Sequence, residues 1–377
     1  HKATQAAIKL FEEKYPNIKV KAEFTGWTGH LERITTQISG KTEPDLMQIN
    51  WPWLPVFSPE GNGFADLYQL KDTIDLSQWD KSLLDYGTMG GKLNGLPISI
   101  TGRVFFLNKT TYDKAGAAIP KTWDELFAAA DTFTAKLGDD YYPFDSTDYN
   151  AWLMTCLYAT QQTGKSFIDP ETTKIAWTKE QLSEALSFYQ SLVEKHVLKS
   201  LKAAASEGNV MLHEKKEWME GKLGGSYEWD STYWKYSKPI KDGDLEPVPT
   251  LMSDGAVSEG LFRKPTMTFA ISKNSEHKKE AAMLLNFLLN DEDAIRTLHT
   301  TRGIPASKKA EALLTKEGLI DDKVAAAHAI IMNGEAPAIS QYFEHPKLQD
   351  MYRDIIEQLA YNRLTPDEAA EKVLDEG

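Results

Sequence analysis

The chain has 377 residues, 41% of them apolar and 26% charged, which is the profile of a globular protein with ample core; at roughly 150 residues per domain it divides into two or three. A formal net charge of −13 without a basic face or stripe sets nucleic acid aside as a partner, because phosphate binding needs clustered Lys and Arg. No run approaches the roughly 18 apolar residues of a membrane-spanning helix, and the start at His1 shows no signal pattern, so a soluble chain with any export signal already absent is expected.

In chain order, Ala3, Ala7, Leu10 and Phe11 share one face of a helix over 3–15, and Pro16-Asn17 ends it. Ile18, Val20, Ala22 and Phe24 then alternate as a strand. Leu31, Ile34 and Ile38 mark a helix from Thr28 to Gly40, followed by a short apolar strand over 45–50. This alternation predicts an α/β fold with a parallel sheet, and a strand preceding His1 is expected because such sheets open on a strand.

Residues 97–108 read as one long extended segment, with a first crossover between lobes near Asn108. Thr122 with Glu125 and Thr178 with Gln181 predict capping boxes for the helices that follow them. Cys156, the only cysteine, excludes an intramolecular disulfide and reads as a buried thiol within the apolar stretch 151–159. Met267, Phe269 and Ile271 alternate as a half-buried strand that leads into an apolar helix over 281–289, and further crossovers fit near Arg263 and Gly303. The predicted lobes are therefore 1–108 with 266–303, and 109–265 with 304–377.

Chemical motifs are sparse. Phosphate-binding, dinucleotide-binding and serine-hydrolase signatures are missing, and His213-Glu214-Lys215-Lys216-Glu217 fails as a zinc helix because Glu217 stands where the second histidine ligand belongs. No metal or cofactor is expected. A glycosidase needs two carboxylates flanking a bond, and Asp145, Asp148, Glu228 and Asp230, all in aromatic loops, are the candidates. The other use of such groups is to accept hydrogen bonds from sugar hydroxyls. With 10 Trp and 15 Tyr the chain is rich in aromatic rings; most rings fill cores, but Trp51, Trp53, Trp229 and Trp234 sit among Asn, Pro, Ser and Asp.

Six phrases in order, Phe11-Glu12-Glu13-Lys14-Tyr15-Pro16-Asn17-Ile18-Lys19-Val20, Glu43-Pro44-Asp45-Leu46, Lys92-Leu93-Asn94-Gly95-Leu96-Pro97, Leu107-Asn108-Lys109, Ile119-Pro120-Lys121-Thr122-Trp123-Asp124-Glu125-Leu126 and Ala270-Ile271-Ser272-Lys273-Asn274-Ser275, resemble the extracellular solute-binding proteins of sugar importers. The resemblance implies a two-lobed periplasmic-binding-protein fold of the hinge-bending type, a sugar held between the lobes, and delivery to an ATP-driven inner-membrane permease. It implies a periplasmic or cell-surface location, a monomer and no catalysis. Gly26-Trp27-Thr28-Gly29-His30 with Asn50-Trp51-Pro52-Trp53 is most similar to the oligogalacturonide-binding proteins of pectin-degrading bacteria.

A uronate carries a carboxylate that a chain of charge −13 repels, although a Debye length of about 8 Å hides most of that field. The site must therefore supply its own cations, and Arg, with a planar fork, suits a carboxylate better than Lys. Arg103, Arg263 and Arg302, with Lys264, lie at or beside predicted crossovers. Trp27, Trp51, Trp53 and Trp229 are expected to stack on sugar faces. Asn50, Thr101, Asp145, Tyr149, Asn150 and His30 are expected to bond hydroxyls. Two rivals remain open: a binder of a neutral oligosaccharide, and a glycan-cleaving enzyme.

Overall fold

The computed structural model describes residues 1–208 and 210–377. The chain separates into two compact units, one made of residues 1–101 and 264–321, the other of 102–263 and 322–377. The crossings fall at 101/102, 263/264 and 321/322, against sequence expectations of 108/109, 265/266 and 303/304. The largest difference is the last. Beyond Gly303 the chain stays tied to the first unit, where the Ala306 N–H donates to the Ile98 carbonyl and Ser307 Oγ donates to Asn290.

The first unit holds a three-stranded sheet in the order Leu46–Asn50, Met267–Ile271, Leu96–Pro97. Both outer strands run antiparallel to the middle one. Helices Lys2–Lys14 and Lys278–Asn290 pack together through Phe11 and Phe287, whose rings meet edge to face at 5.4 Å.

The second unit repeats the plan. Its four-stranded sheet places Gly225–Trp229 and Leu245–Val248 on either side of Ile100–Asn108, again both antiparallel to the middle strand, and the short strand Arg263–Pro265 pairs with that middle strand as well. Phe105 stacks on its ladder partner Tyr227 at 4.6 Å. Helix Asp148–Thr163 is apolar nearly all round, with Trp152, Met154, Cys156 and Leu157 all buried, as suits an element packed on several sides. It presents Tyr149 and Asn150 in its first turn.

Three expectations are corrected. The predicted parallel sheet is an antiparallel ladder in both units. The strand–helix–strand order does give co-directional outer strands, but the strand between each pair runs the opposite way and belongs to a distant part of the chain. Residues 18–24 keep their alternation only in part, with Ile18, Val20 and Phe24 half-buried but Ala22 exposed, and join no ladder among the described residues. The capping box at Thr122 is half made: Thr122 accepts from the Glu125 N–H, but the Glu125 carboxylate turns to the Lys121 N–H. At Thr178 both halves are present, with Gln181 answering the N-cap N–H. Replacing Thr178 with Ala is expected to lower stability by about 1 kcal/mol in urea denaturation, since it strips the helix Lys179–Glu194 of its cap.

Candidate functional site

In the second unit the antiparallel ladder ends on the pair Arg103 and Trp229, which face each other across the strands. Residues directly opposite in a ladder project to the same side, so the guanidinium lies over the indole, 4.1 Å from the ring centroid to Cζ. Tyr149 stands beside it at 5.9 Å, and Arg353 lies against the same Tyr149 ring at 5.3 Å.

Arg103 is only 4% exposed, so its charge needs partners. Nη1 supplies all three of its hydrogen bonds: to Asn150 Oδ1 at 2.8 Å, to the Tyr227 carbonyl at 3.2 Å and to Glu228 Oε2 at 3.4 Å. Asn150 Nδ2 and Ser226 Oγ donate in turn to Glu228 Oε1, at 3.1 and 2.7 Å. Burial pushes the Glu228 carboxyl up, and Arg103, Ser226 and Tyr236 pull it back. Among the described residues Nη2 makes no hydrogen bond, and the Nε–H is buried without a partner. The Nε–Nη2 edge of this guanidinium is therefore an unused two-pronged donor. A planar acceptor such as a carboxylate matches it.

Asp145, also buried, pairs with Lys215 at 3.4 Å. Burial raises its pKa and Lys215 opposes the shift.

The first unit carries an aromatic cluster of its own. Trp27, 65% exposed, stacks on Trp53 with centroids 5.5 Å apart and planes 22° from parallel. His30 tilts against Trp53 at 5.6 Å. Gly29, at φ 85°, makes the left-handed turn that starts the helix His30–Ser39 and sets the Trp27 loop. Trp53 ends a single helical turn, Trp51–Trp53, that follows directly on Asn50 at the end of its strand.

Several sequence-selected residues have other duties. Trp51 is 1% exposed, and its Nε1 donates to the Tyr86 carbonyl at 2.8 Å, so it is core and offers no face to a sugar. Both His30 nitrogens are engaged, with Thr25 Oγ1 and with the Gln48 carbonyl, each at 2.9 Å, which leaves none for a ligand hydroxyl. Asn150 spends its amide on Arg103 and Glu228 and acts as a brace. Arg263 Nη1 donates to the Ile331 and Met332 carbonyls at the end of the helix Asp322–Asn333, which is a C-terminal cap. Arg302 Nη2 donates to Thr4 Oγ1, and burial disfavours its charge. Thr101 and Lys264 are the residues at which the first unit's two segments end and resume. Glu228, in the sequence only a candidate catalytic carboxylate, and Arg353 carry no local signal for binding, because their partners, the Arg103 guanidinium and the Tyr149 ring, lie 125 and 204 positions away in the chain.

Among the described residues no group of three or more His, Cys, Asp or Glu could hold a metal ion. No helix among them is long and apolar enough to cross a membrane.

A model of the bacterial extracellular solute-binding protein family matches residues 1–295. A periplasmic oligogalacturonide binding protein from Yersinia enterocolitica has a structure 41% identical to this chain, with a TM-score of 0.95, over 100% of this chain and 94% of that one. The structure of a periplasmic oligogalacturonide binding protein from Yersinia enterocolitica in complex with saturated digalacturonic acid matches at the same identity and coverage, with a TM-score of 0.78. A de novo designed cysteine esterase is 40% identical over 100% of this chain and 93% of that one, with a TM-score of 0.95.

The two tryptophan environments predict opposite responses. Trp51→Ala is expected to cost about 3–5 kcal/mol of stability in urea denaturation, as for a fully buried ring. Trp27→Ala, at an exposed position, is expected to stay within about 0.5 kcal/mol of the parent in the same measurement.

Proposed function

This chain belongs to the bacterial extracellular solute-binding proteins, and from that premise we propose that it binds an acidic oligosaccharide, an oligogalacturonide, and delivers it to the membrane permease of an ATP-driven importer. The observation that carries the acidic ligand is the open Nε–Nη2 edge of Arg103. Glu228, Asn150 and the Tyr227 carbonyl hold the opposite side of the guanidinium, and Trp229 backs its face. A uronate carboxylate would take both free donors through two parallel, charge-assisted hydrogen bonds in a largely dry setting, where such bonds are strongest. The structure of the oligogalacturonide-binding relative with digalacturonic acid supports the same ligand class.

The aromatic residues give the rest of the sugar its contacts. Trp27, exposed and stacked on the half-buried Trp53, is suited to the apolar face of a pyranose ring. Asp145 and Tyr149 are the proposed hydroxyl partners.

An extracytoplasmic location follows from the family, and the periplasm as against the cell surface is part of the proposal. So is a monomeric state. Hinge closure is part of the proposal, since a ligand favours whichever form of a binding protein gives it more contacts. Addition of saturating digalacturonate is expected to lower the radius of gyration in solution scattering, and an unchanged radius would remove closure from the proposal.

Cleavage has little support in the chemistry of these groups. Cys156 is the sole thiol, buried and pushed far from its ordinary pKa by desolvation, so it offers no thiolate for the chemistry of a cysteine esterase. Glu228 is occupied by Ser226, Asn150 and Arg103, and Asp145 by Lys215.

Titration calorimetry with digalacturonate, trigalacturonate and maltotriose tests the reading. Saturable binding of the galacturonides alone, with the sugar recovered intact, is the expected result. Binding of maltotriose alone would replace the ligand class, and cleavage of any of the three would replace the functional class. Arg103→Lys keeps a charge but loses the fork, and is expected to weaken digalacturonate binding by at least about tenfold.

A further inference from the structure

On the side facing Gly225–Trp229 the ladder ends at the pair Arg103 and Trp229, and the next backbone donor of the central strand on that side is the Gly102 N–H; on its other side the Arg103 N–H donates to the Phe262 carbonyl at 2.9 Å and the short strand Arg263–Pro265 carries the pairing on. A side chain takes the Gly102 N–H: Asp230 Oδ1 accepts from it at 3.2 Å, where a strand carbonyl would otherwise stand. Asp230 follows Trp229 directly, as Gly102 precedes Arg103. One carboxylate thus staples the two residues next to the stacked pair. The other oxygen, Oδ2, is 2.9 Å from Nδ1 of His328, on the helix Asp322–Asn333.

Both side chains are buried, His328 at 1% and Asp230 at 2% exposure. His328 Nε2 is buried as well and has no partner among the described residues, so the bond to Asp230 is what an imidazole contributes here. The same helix closes on the strand end a second time. A Cβ at Gly102 would meet the Phe262 carbonyl oxygen at 2.7 Å and Ile331 Cγ2 at 2.9 Å, so the glycine lets Ile331, one turn after His328, press against the backbone. Arg263 caps the end of that helix by donating to the Ile331 and Met332 carbonyls. The helix also packs on the turn 230–232 and on the strand Leu245–Val248.

We propose that His328 and Asp230 are positioning residues for Arg103: the buried pair fixes the strand end on which the guanidinium stacks, and so fixes the direction of its open edge. Asp230 holds Gly102, Gly102 sets the backbone of Arg103, and His328 holds Asp230 in the one orientation that reaches Gly102. Neither side chain touches a ligand in this scheme. A fork-shaped donor loses its advantage when tilted by a few tens of degrees, which is why a rigid support shell matters for it. The effect on sugar affinity rests on the proposed acidic ligand; the positioning of Arg103 does not.

The experiment compares His328→Asn with His328→Gln. Asn puts an amide N–H where imidazole Nδ1 stands, and Gln puts it where Nε2 stands, so only the first keeps the bond to Asp230. In the ligand-free protein, the Arg103 Nε–H resonance, assigned with Arg103→Lys, is expected to carry the ring-current shift of Trp229 in the parent and in His328→Asn, and to lose it in His328→Gln. Calorimetry with digalacturonate is expected to give affinities within about twofold of the parent for Asn and at least about tenfold weaker for Gln. If Gln prevents folding, His328→Leu, which fills the space without a donor, takes its place with the same expected losses. Equal resonance positions and equal affinities in the Asn variant and the donor-less variant would overturn the proposal. A parent that binds no digalacturonate would instead overturn the ligand reading, while the Arg103 resonance still decides the positioning.

Discussion

A guanidinium taken out of water must recover what it loses, and the way Arg103 does so organises the second unit's site. Desolvating an ion costs several kcal/mol even after relaxation. Here the cost is offset on one side only, by a carboxylate, an amide and a backbone carbonyl that all converge on Nη1. Trp229 adds the attraction of a ring face at 4.1 Å. A fully satisfied arginine would be a structural residue, and an unsatisfied one would be too expensive to keep. Arg103 lies between these limits, held firmly on one side and left with a directed edge on the other. That arrangement pre-organises a donor pair without requiring the ligand to reshape the protein, which is the main way a binding site keeps its free energy for the ligand. Glu228 lies on the far side of the guanidinium, so an incoming carboxylate meets two oriented N–H groups rather than the acid.

The same arrangement reconciles an acidic chain with an acidic ligand. A net charge of −13 is a property of the whole surface, and most of it is screened beyond a Debye length of about 8 Å. What a bound carboxylate experiences is the nearest few groups. Arg353 adds a second cation near the Tyr149 ring, weakly countered by Asp148 at 3.9 Å.

Much of the scaffold was legible in the sequence because it is encoded by short-range rules. The period of Ala7 and Phe11 and the box at Thr178 each depend on residues within four positions of one another; Met267, Phe269 and Ile271 do mark a strand, but as the central one of its sheet it buries Thr268 and Ala270 as well and is not half-buried. What failed depended on distant partners. The alternation over 18–24 marks Ile18, Val20 and Phe24 as turning inward, but a ladder needs a neighbouring strand, which alternation does not supply. Trp51 sits among loop-like residues, yet Pro52 starts a tight turn that buries the indole, and a carbonyl 35 residues away satisfies its N–H. Arg103, Arg263 and Arg302 all lie beside expected crossovers, yet Arg263 serves a helix end and Arg302 a threonine hydroxyl, because position along the chain constrains where an arginine sits and not which of its edges meets a partner. His328 gave no signal at all: a lone histidine on a helix shows its role only once Asp230 is seen opposite.

The two units reach their candidate residues by one local device. In the first, the strand Leu46–Asn50 passes at Asn50, with φ −59° and ψ 133°, into the single turn Trp51–Trp53 and then a short helix. In the second, the strand Gly225–Trp229 passes at Trp229, with φ −63° and ψ 136°, into the single turn Asp230–Thr232 and another short helix. A strand continuing straight on would keep its last side chains in register with neighbours above and below. Turning at once into a tight helix breaks that register straight after the last paired residue, Asn50 opposite Met267 and Trp229 opposite Arg103, so the residues of the turn leave the ladder. The device therefore supplies positions off the ladder, and the residues placed there decide what they are for. In the first unit the turn buries Trp51 as an anchor and brings Trp53 out against Trp27. In the second it leaves Trp229 as a platform for Arg103, and the first residue of the turn, Asp230, closes the open end of the ladder. A tight turn after a strand is thus an economical way to hold aromatic and charged groups rigidly at a sheet's end, because the sheet fixes one side of the junction and the turn the other.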